Sequence, residues 1–507
     1  MKHVAFPALF RQPAAWLLLG VLLSWQPVRL YALGALAANG YGADELRLGE
    51  GVLGASRQDP APVRLVVGQA VKSTVANNET QTFTFPLAAG QVAHVAVEQQ
   101  DVDVVITARA PNGKKLAEVD SPNGSKGFEM VWLQATKAGE YRVAVRTLEK
   151  NTTGAYQITL EAARAATPAD AQRLRAQQLM VEGQTQRATL NARSSAAERQ
   201  AVVQQFAAAR AIWQDLKESR EANLALLSLR RTDPTAALVA AQLPSSTNKM
   251  TVYYSPGNEA RALAMRTNVE EALAFLQANF PLSPTISLAV LNEADWALVG
   301  GNSPYGPFSL PGLIVLPGND FDAFASSMLR SSLTAAQLQA AEADGLPLEK
   351  QVQFYFEDVV YHELGHLYSS AYGIRFPNHW TDEVMASYLM FNYLGDKHPE
   401  RAKNVLAVGN LFLQAVRPAH TSLDDFDRLY MGGISPMNYG WYQAQFALRA
   451  EALYQKEKLA LVDKMKKAFP VRSSPRRAPA DVLARMEQLS SGFVAWSQQL
   501  TSAAATK

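Results

Sequence analysis

His362 and His366 stand four residues apart in the run VVYHELGHLYSSAYG, Val359 to Gly373. On a helix that spacing sets both imidazoles on one face, about one turn apart, where both can ligate one metal ion. Glu363 follows the first histidine and is angled toward the same cavity, where it can take a proton from a water activated by the metal. The chemistry indicated is metal-assisted hydrolysis. The plain alternative is two core histidines beside a surface glutamate. The chain has 7 histidines in 507 residues, and two of them falling in H-E-x-x-H within a helix-like run argues against it. There are no cysteines, so disulfides, iron–sulfur clusters and Cys-held zinc are excluded. Any metal falls to His, Asp or Glu.

A catalytic zinc needs a third protein ligand and one open position. The metzincin continuation requires glycine at position 369 and histidine at 372, and this chain has Ser369 and Tyr372. Further on, Trp380, Glu383 and Ala386 resemble the W-x-x-E-x-x-A stretch of the aminopeptidase-N family and its gluzincin relatives. The resemblance implies Glu383 as the third ligand. The gap from His366 is slightly shorter than in the aminopeptidase-N family itself, which points to a related gluzincin family. Asp382 and His379 are the alternative ligands, and Asp382 otherwise orients a ligand from behind.

The segment Asn438 to Leu448 resembles the part of that family that carries an oxyanion-stabilising tyrosine. Tyr442, which opens the Y-x-x-x-F-A-L run, is preferred for that role and Tyr439 comes second. Plain packing, with the hydroxyl in solvent, is the competing reading of either. Gly312 to Leu316 reads as an edge strand on which a substrate backbone can lie. The family grips a substrate's free amine with an acidic motif near such a strand. No acid lies between Tyr305 and Gly318, so an endopeptidase-like cleft is expected over an aminopeptidase one, although Asp320 and Asp322 follow closely. Glu357 and Asp358 read as a solvated helix face. His94, His398 and His420 have no ligand spacing to anything.

These side chains need a scaffold. Residues 249–507 open with strand-like MTVYYS, TISLAVL and GLIVLPG around a helix from Glu259 to Asn279, and then turn almost wholly helical. A small sheet followed by helices is an α+β pattern. Upstream, residues 61–163 alternate apolar and polar in TQTFTFPL, VAHVAVEQ, VDVVITAR and FEMVWLQA, with turn signals between them. Many short strands at this spacing predict an antiparallel sandwich. The F-x-F-x-L-x-A-G-Q stretch from Phe83, with Pro111-Asn112-Gly113 and the pairs at Gly139/Tyr141 and Gly154/Tyr156, resembles the bacterial pre-peptidase C-terminal domain. That resemblance implies an accessory module of secreted proteins with no catalytic residue. Residues 167–232 read as a helical spacer, a TPR-like hairpin with Pro168 at a helix start and a capping box from Ser195 to Glu198. The stretch Leu243 to Asn248 reads as a linker.

At the N-terminus, Lys2, His3 and Arg11 precede the apolar run from Ala14 to Trp25, and Ala35-Leu36-Ala37 fits a cleavage site. Residues 1–37 therefore read as a signal peptide, with a mature chain that is periplasmic or secreted and has no integral membrane segment. A net charge of +2, with no basic stripe, gives no case for nucleic acid. The whole reads as a multidomain chain: all-β sandwich, helical spacer, then an α+β zincin-like metallopeptidase domain with a mainly helical C-terminal part. The expected cofactor is Zn2+ on His362, His366 and Glu383, with Glu363 as general base and a peptide or protein as substrate. The rivals are a non-catalytic zinc protein whose sandwich binds protein or glycan, and a zinc amidase acting on a non-peptide substrate.

Overall fold

The computed structural model describes residues 61–502, apart from 77–78, 150–151, 192–193, 301–305, 431–432 and 471–478. The export-signal segment, residues 1–37, lies outside the described residues. The chain divides into two units that meet in sequence at Ala240 and Ala241.

The first unit carries strands β1 (Val63–Arg64), β2 (Ala70–Val75), β3 (Thr80–Leu87), β4 (Gln91–Gln100), β5 (Val104–Arg109), β6 (Lys115–Val119), β7 (Lys126–Gln134), β8 (Gly139–Thr147) and β9 (Gly154–Ala165). They form two sheets, β1-β3-β8-β5-β6 and β2-β9-β4-β7. All pairings are antiparallel except β1 with β3. Alternate residues turn inward, so Phe83, Phe85, Val95, Val97, Tyr141, Val143, Tyr156 and Ile158 share one core.

Helices α1 (Pro168–Thr189), α2 (Ala196–Asp215), α3 (Ser219–Thr232) and α4 (Ala236–Ala240) follow. Ser195 and Glu198 cap α2 reciprocally, as the capping-box spacing predicts. These helices are more than a spacer. Trp132, on the outer face of β7, is buried with Ala176, Leu179, Ala209, Trp213, Ala222 and Ala225. The helices therefore cover the four-stranded sheet, and sandwich and helices form one unit. His94, opposite Trp132 in the β4–β7 register, stacks on that indole at 4.1 Å. Its Nδ1 lies 3.0 Å from Glu161 and its Nε2 3.5 Å from Glu221 of α3, so the histidine is part of the packing between sheet and helices.

The second unit opens with β10 (Ser245–Thr247), β11 (Thr251–Tyr254), α5 (Glu259–Asn279), β12 (Ser287–Leu291), β13 (Phe308–Leu310) and β14 (Leu313–Pro317). Sheet order is β10-β11-β12-β14-β13. Strands β11, β12 and β14 run parallel, and β10 and β13 run antiparallel at the two edges. Two readings change here. The segment taken as a linker supplies β10, whose polar Ser and Thr suit a short edge strand. The strand taken as an edge, β14, is internal and fully buried, and β13 is the edge beside it.

Helices α6 (Asp320–Ser332), α7 (Ala335–Ala341), α8 (Leu348–Ala371), α9 (His379–Lys397), α10 (Pro399–Ala415), α11 (Leu423–Leu429), α12 (Pro436–Glu457), α13 (Ala460–Ala468), α14 (Pro479–Leu489) and α15 (Phe493–Ser502) complete the unit. Most of α9 is buried, which sets it at the centre of this helical part. Trp380, Tyr388 and Phe391 are among its fully buried side chains, each contributing about 1.5–3 kcal/mol by burial.

Glu129 on β7 is fully buried, accepts a 2.8 Å hydrogen bond from the Ser121 amide, and is pushed by burial up to about 8. The folded sandwich thus holds a proton at pH values where an unfolded glutamate, with its ordinary pKa of 4.5, has lost it. Stability contributed by the protonated form is complete below that ordinary value and is lost as pH rises through about 8. Calorimetry between about pH 5 and about pH 8 is expected to show the first unit's unfolding temperature falling with pH. In Glu129→Gln that fall is expected to shrink.

Candidate metal centre

Helix α8 carries His362, Glu363 and His366, and α9 carries Glu383. The two helices meet where Gly365 faces Ala386. A Cβ built on Gly365 would stand 2.6 Å from the Ala386 carbonyl oxygen and 2.8 Å from its Cα, closer than real atoms approach. Glycine is what lets the backbones come near enough for the Glu383 side chain to reach the histidine pair.

The result is a tight triangle of donor atoms. His362 Nε2 and His366 Nε2 are 3.0 Å apart, and Glu383 Oε2 lies 3.1 Å from the first and 3.6 Å from the second. Four-coordinate zinc with bonds of about 2.0–2.2 Å separates its ligand atoms by about 3.3 Å. Two imidazole nitrogens and one carboxylate oxygen at these spacings therefore fit a zinc-type site. Among the described residues this is the group of His, Asp and Glu side chains able to hold a metal ion.

Each donor is held from behind. His362 Nδ1 lies 3.0 Å from Ser387 Oγ, and His366 Nδ1 lies 3.3 Å from Asp382. The far nitrogens are occupied, so both Nε2 atoms face inward. On Glu383, the Tyr430 hydroxyl donates to Oε1 at 2.7 Å and the Gln443 amide to Oε2 at 2.9 Å. Burial works against the Glu383 charge, yet His366 and His362 hold its carboxyl well below the usual range. Burial also opposes a charged His366, and the Asp382 and Glu383 carboxylates nevertheless raise its pKa well above the ordinary value.

Glu363 is buried on the same helix turn. Burial raises its pKa, while His362, His366 and a hydrogen bond from Ser309 pull the other way. Ser309 sits on β13, so the true edge strand is the one that approaches the general-base candidate. The Tyr439 phenol is kept protonated by burial and by the Glu383 and Glu363 carboxylates, and it shares hydrogen bonds with Gln443 and Tyr430.

Several sequence readings take other positions. The Tyr442 hydroxyl donates to the Ser422 carbonyl at 2.8 Å, and its ring packs on Phe426 and Phe446. That hydroxyl is engaged by a backbone carbonyl, whereas the Tyr439 phenol is the one that feels the Glu383 and Glu363 carboxylates. His379 stacks on Tyr430 at 4.1 Å, outside the triangle, and Asp382 stands behind His366. Asp322 pairs with Arg261. Asp358 is fully buried against Arg401 of α10, at 2.5 Å, because α10 covers the face of α8 that the sequence leaves looking solvated. Burial, only partly offset by Arg401, pushes Asp358 up to about 7.

Sequence reasoning missed Ser387, Ser309, Tyr430 and Gln443. Ser387 alone carried a signal, one helical turn beyond Glu383 on α9. Gln443 lies beside Tyr442 in a segment already singled out, and Tyr430 and Ser309 are close only in space.

No protein-family model matches the chain, and no curated protein sequence matches it. Solved structures do. The pre-peptidase C-terminal domain of collagenase from Bacillus anthracis aligns over 20% of this chain and 98% of its own, at 16% identity and TM-score 0.18. The periplasmic g-type lysozyme inhibitor PliG of Aeromonas hydrophila aligns over 20% of this chain and 99% of its own, at 14% identity and TM-score 0.15. IMPa from Pseudomonas aeruginosa, in complex with an O-glycopeptide, aligns over 86% of this chain, at 10% identity and TM-score 0.19. This chain spans about half of IMPa, 52% of its length. Such TM-scores lie far below those of a shared overall fold, and the metal centre stands on its own geometry.

Gly365→Ala is expected to push α8 and α9 apart. Overpacking there should cost about 1–3 kcal/mol, read by chemical denaturation. It should also abolish zinc uptake, read by competition with a chromophoric chelator.

Proposed function

We propose that the chain is an exported zinc-dependent metallopeptidase that hydrolyses peptide bonds within protein substrates. The observation that carries this is the triangle of His362 Nε2, His366 Nε2 and Glu383 Oε2, with the Glu363 carboxylate buried beside it. A purely structural metal site has no need of Glu363. Bound in the triangle, zinc supplies Lewis acidity that polarises a carbonyl and lowers the pKa of water.

The chain's own groups do the rest. Glu363, with its pKa raised by burial, accepts the proton of the attacking water and hands it to the leaving nitrogen. The protonated Tyr439 phenol donates to the oxygen that gains charge in the tetrahedral state. An extended substrate pairs with β13, the outermost strand of its sheet among the described residues, which brings its backbone past Ser309 and Glu363. Asp322, one of the acids that could grip a free amine, is paired with Arg261, which favours internal cleavage over trimming from the N-terminus. The signal-like sequence of residues 1–37 supports a reaction outside the cytoplasm.

One digest tests this. The zinc-loaded protein is incubated with a complex peptide mixture and new termini are mapped by mass spectrometry. Internal cleavages are expected, and Glu363→Gln should slow them about 10²–10⁴-fold while keeping its metal. A chelator should abolish them and added zinc restore them. Trimmed N-termini would make the enzyme an aminopeptidase. Equal silence of wild type and variant would turn the assignment toward a binding protein or a non-peptide amide.

A further inference from the structure

Helix α11 is short, yet it grips α9 twice. Asp427 accepts hydrogen bonds from the His379 and Trp380 amides, at 2.8 and 3.2 Å, and from the Asn378 side chain at 2.6 Å. It thereby satisfies amides at the start of the helix that carries Glu383. Tyr430 stands three residues further along the same face, at the C-cap of α11. Its ring is sandwiched between His379, stacked at 4.1 Å, and Phe426, edge-on at 5.2 Å. Its hydroxyl donates to Glu383 Oε1 at 2.7 Å.

Resting on the zinc reading above, we infer that Tyr430 fixes Glu383 as a one-oxygen ligand, with Gln443 steadying the oxygen that binds. The two carboxylate oxygens are not equivalent in this structure. Oε2 faces both histidine Nε2 atoms and takes the Gln443 amide, whereas Oε1 takes the Tyr430 hydroxyl. For Glu383 to chelate through both oxygens, the carboxylate must rotate Oε1 toward the histidines and away from its short charge-assisted bond with Tyr430. Keeping Glu383 one-oxygen leaves the metal an open position, which a catalytic zinc requires and a chelating carboxylate would crowd. Tyr430 and Gln443 are positioning residues. They act through Glu383.

The test reads the metal. Tyr430→Phe keeps the ring between His379 and Phe426 and removes only the hydroxyl. Zinc affinity, measured against a chromophoric chelator, is expected to fall about 10–100-fold. The cobalt-substituted variant should lose visible absorption, since five-coordinate cobalt absorbs more weakly than four-coordinate. Gln443→Leu should weaken zinc but keep the wild-type cobalt spectrum, because Oε1 remains held. X-ray absorption of the zinc-loaded wild type needs no variant to fold, and should show a single carboxylate oxygen at the metal. A chelating carboxylate in that measurement overturns the inference. So does a folded Tyr430→Phe protein with wild-type zinc affinity or an unchanged cobalt spectrum. A wild type that takes up no zinc overturns the zinc reading and this inference with it.

Discussion

Backbone contact between two helices at one glycine governs the second unit's chemistry. Gly365 and Ala386 touch with no room for a methyl group, and that distance decides whether a carboxylate on α9 reaches two imidazoles on α8. Spacing along α8 brings the histidines together whatever α9 does. The third donor has no such guarantee. It arrives only because α9 is buried along most of its length and cannot slide outward without exposing Trp380, Tyr388 and Phe391.

Around that contact each donor of the triangle has a partner behind it. Ser387 and Asp382 face the outer nitrogens of the histidines, and Tyr430 and Gln443 divide the Glu383 oxygens between them. One helical turn before His362, Asp358 meets Arg401, whose guanidinium also lies over Tyr361. That pair ties α8 to α10. Buried polar groups in a low-dielectric interior hold one another in place when every member is paired. Side chains so constrained can meet a metal with little reorganisation.

The first unit follows a similar packing logic. An aromatic on the outer face of a sheet must be covered, and Trp132 is covered by α1, α2 and α3. His94 lies between that indole and two carboxylates, one on β9 and one on α3. Strand alternation predicts the inner face of such a sandwich well. It says little about an outer face that buries its side chains under helices.

By itself the sequence determined what is local. The i, i+4 spacing sets His362 and His366 on one helical face, Ser195 and Glu198 cap α2, and period-two alternation marks β3, β4 and β8. These follow from helix and strand geometry, which acts over a few residues. Glu383 was legible through resemblance, since nothing in its own neighbourhood demands that it meet α8. Tertiary structure alone decided the rest: that Tyr439 and not Tyr442 faces the carboxylates, that β13 is the edge, that Asp358 is buried, and that Tyr430 closes on Oε1. Each of these depends on the phase or packing of elements distant in sequence. Their relative placement is set by the core that they jointly bury, and no short stretch of the chain encodes it.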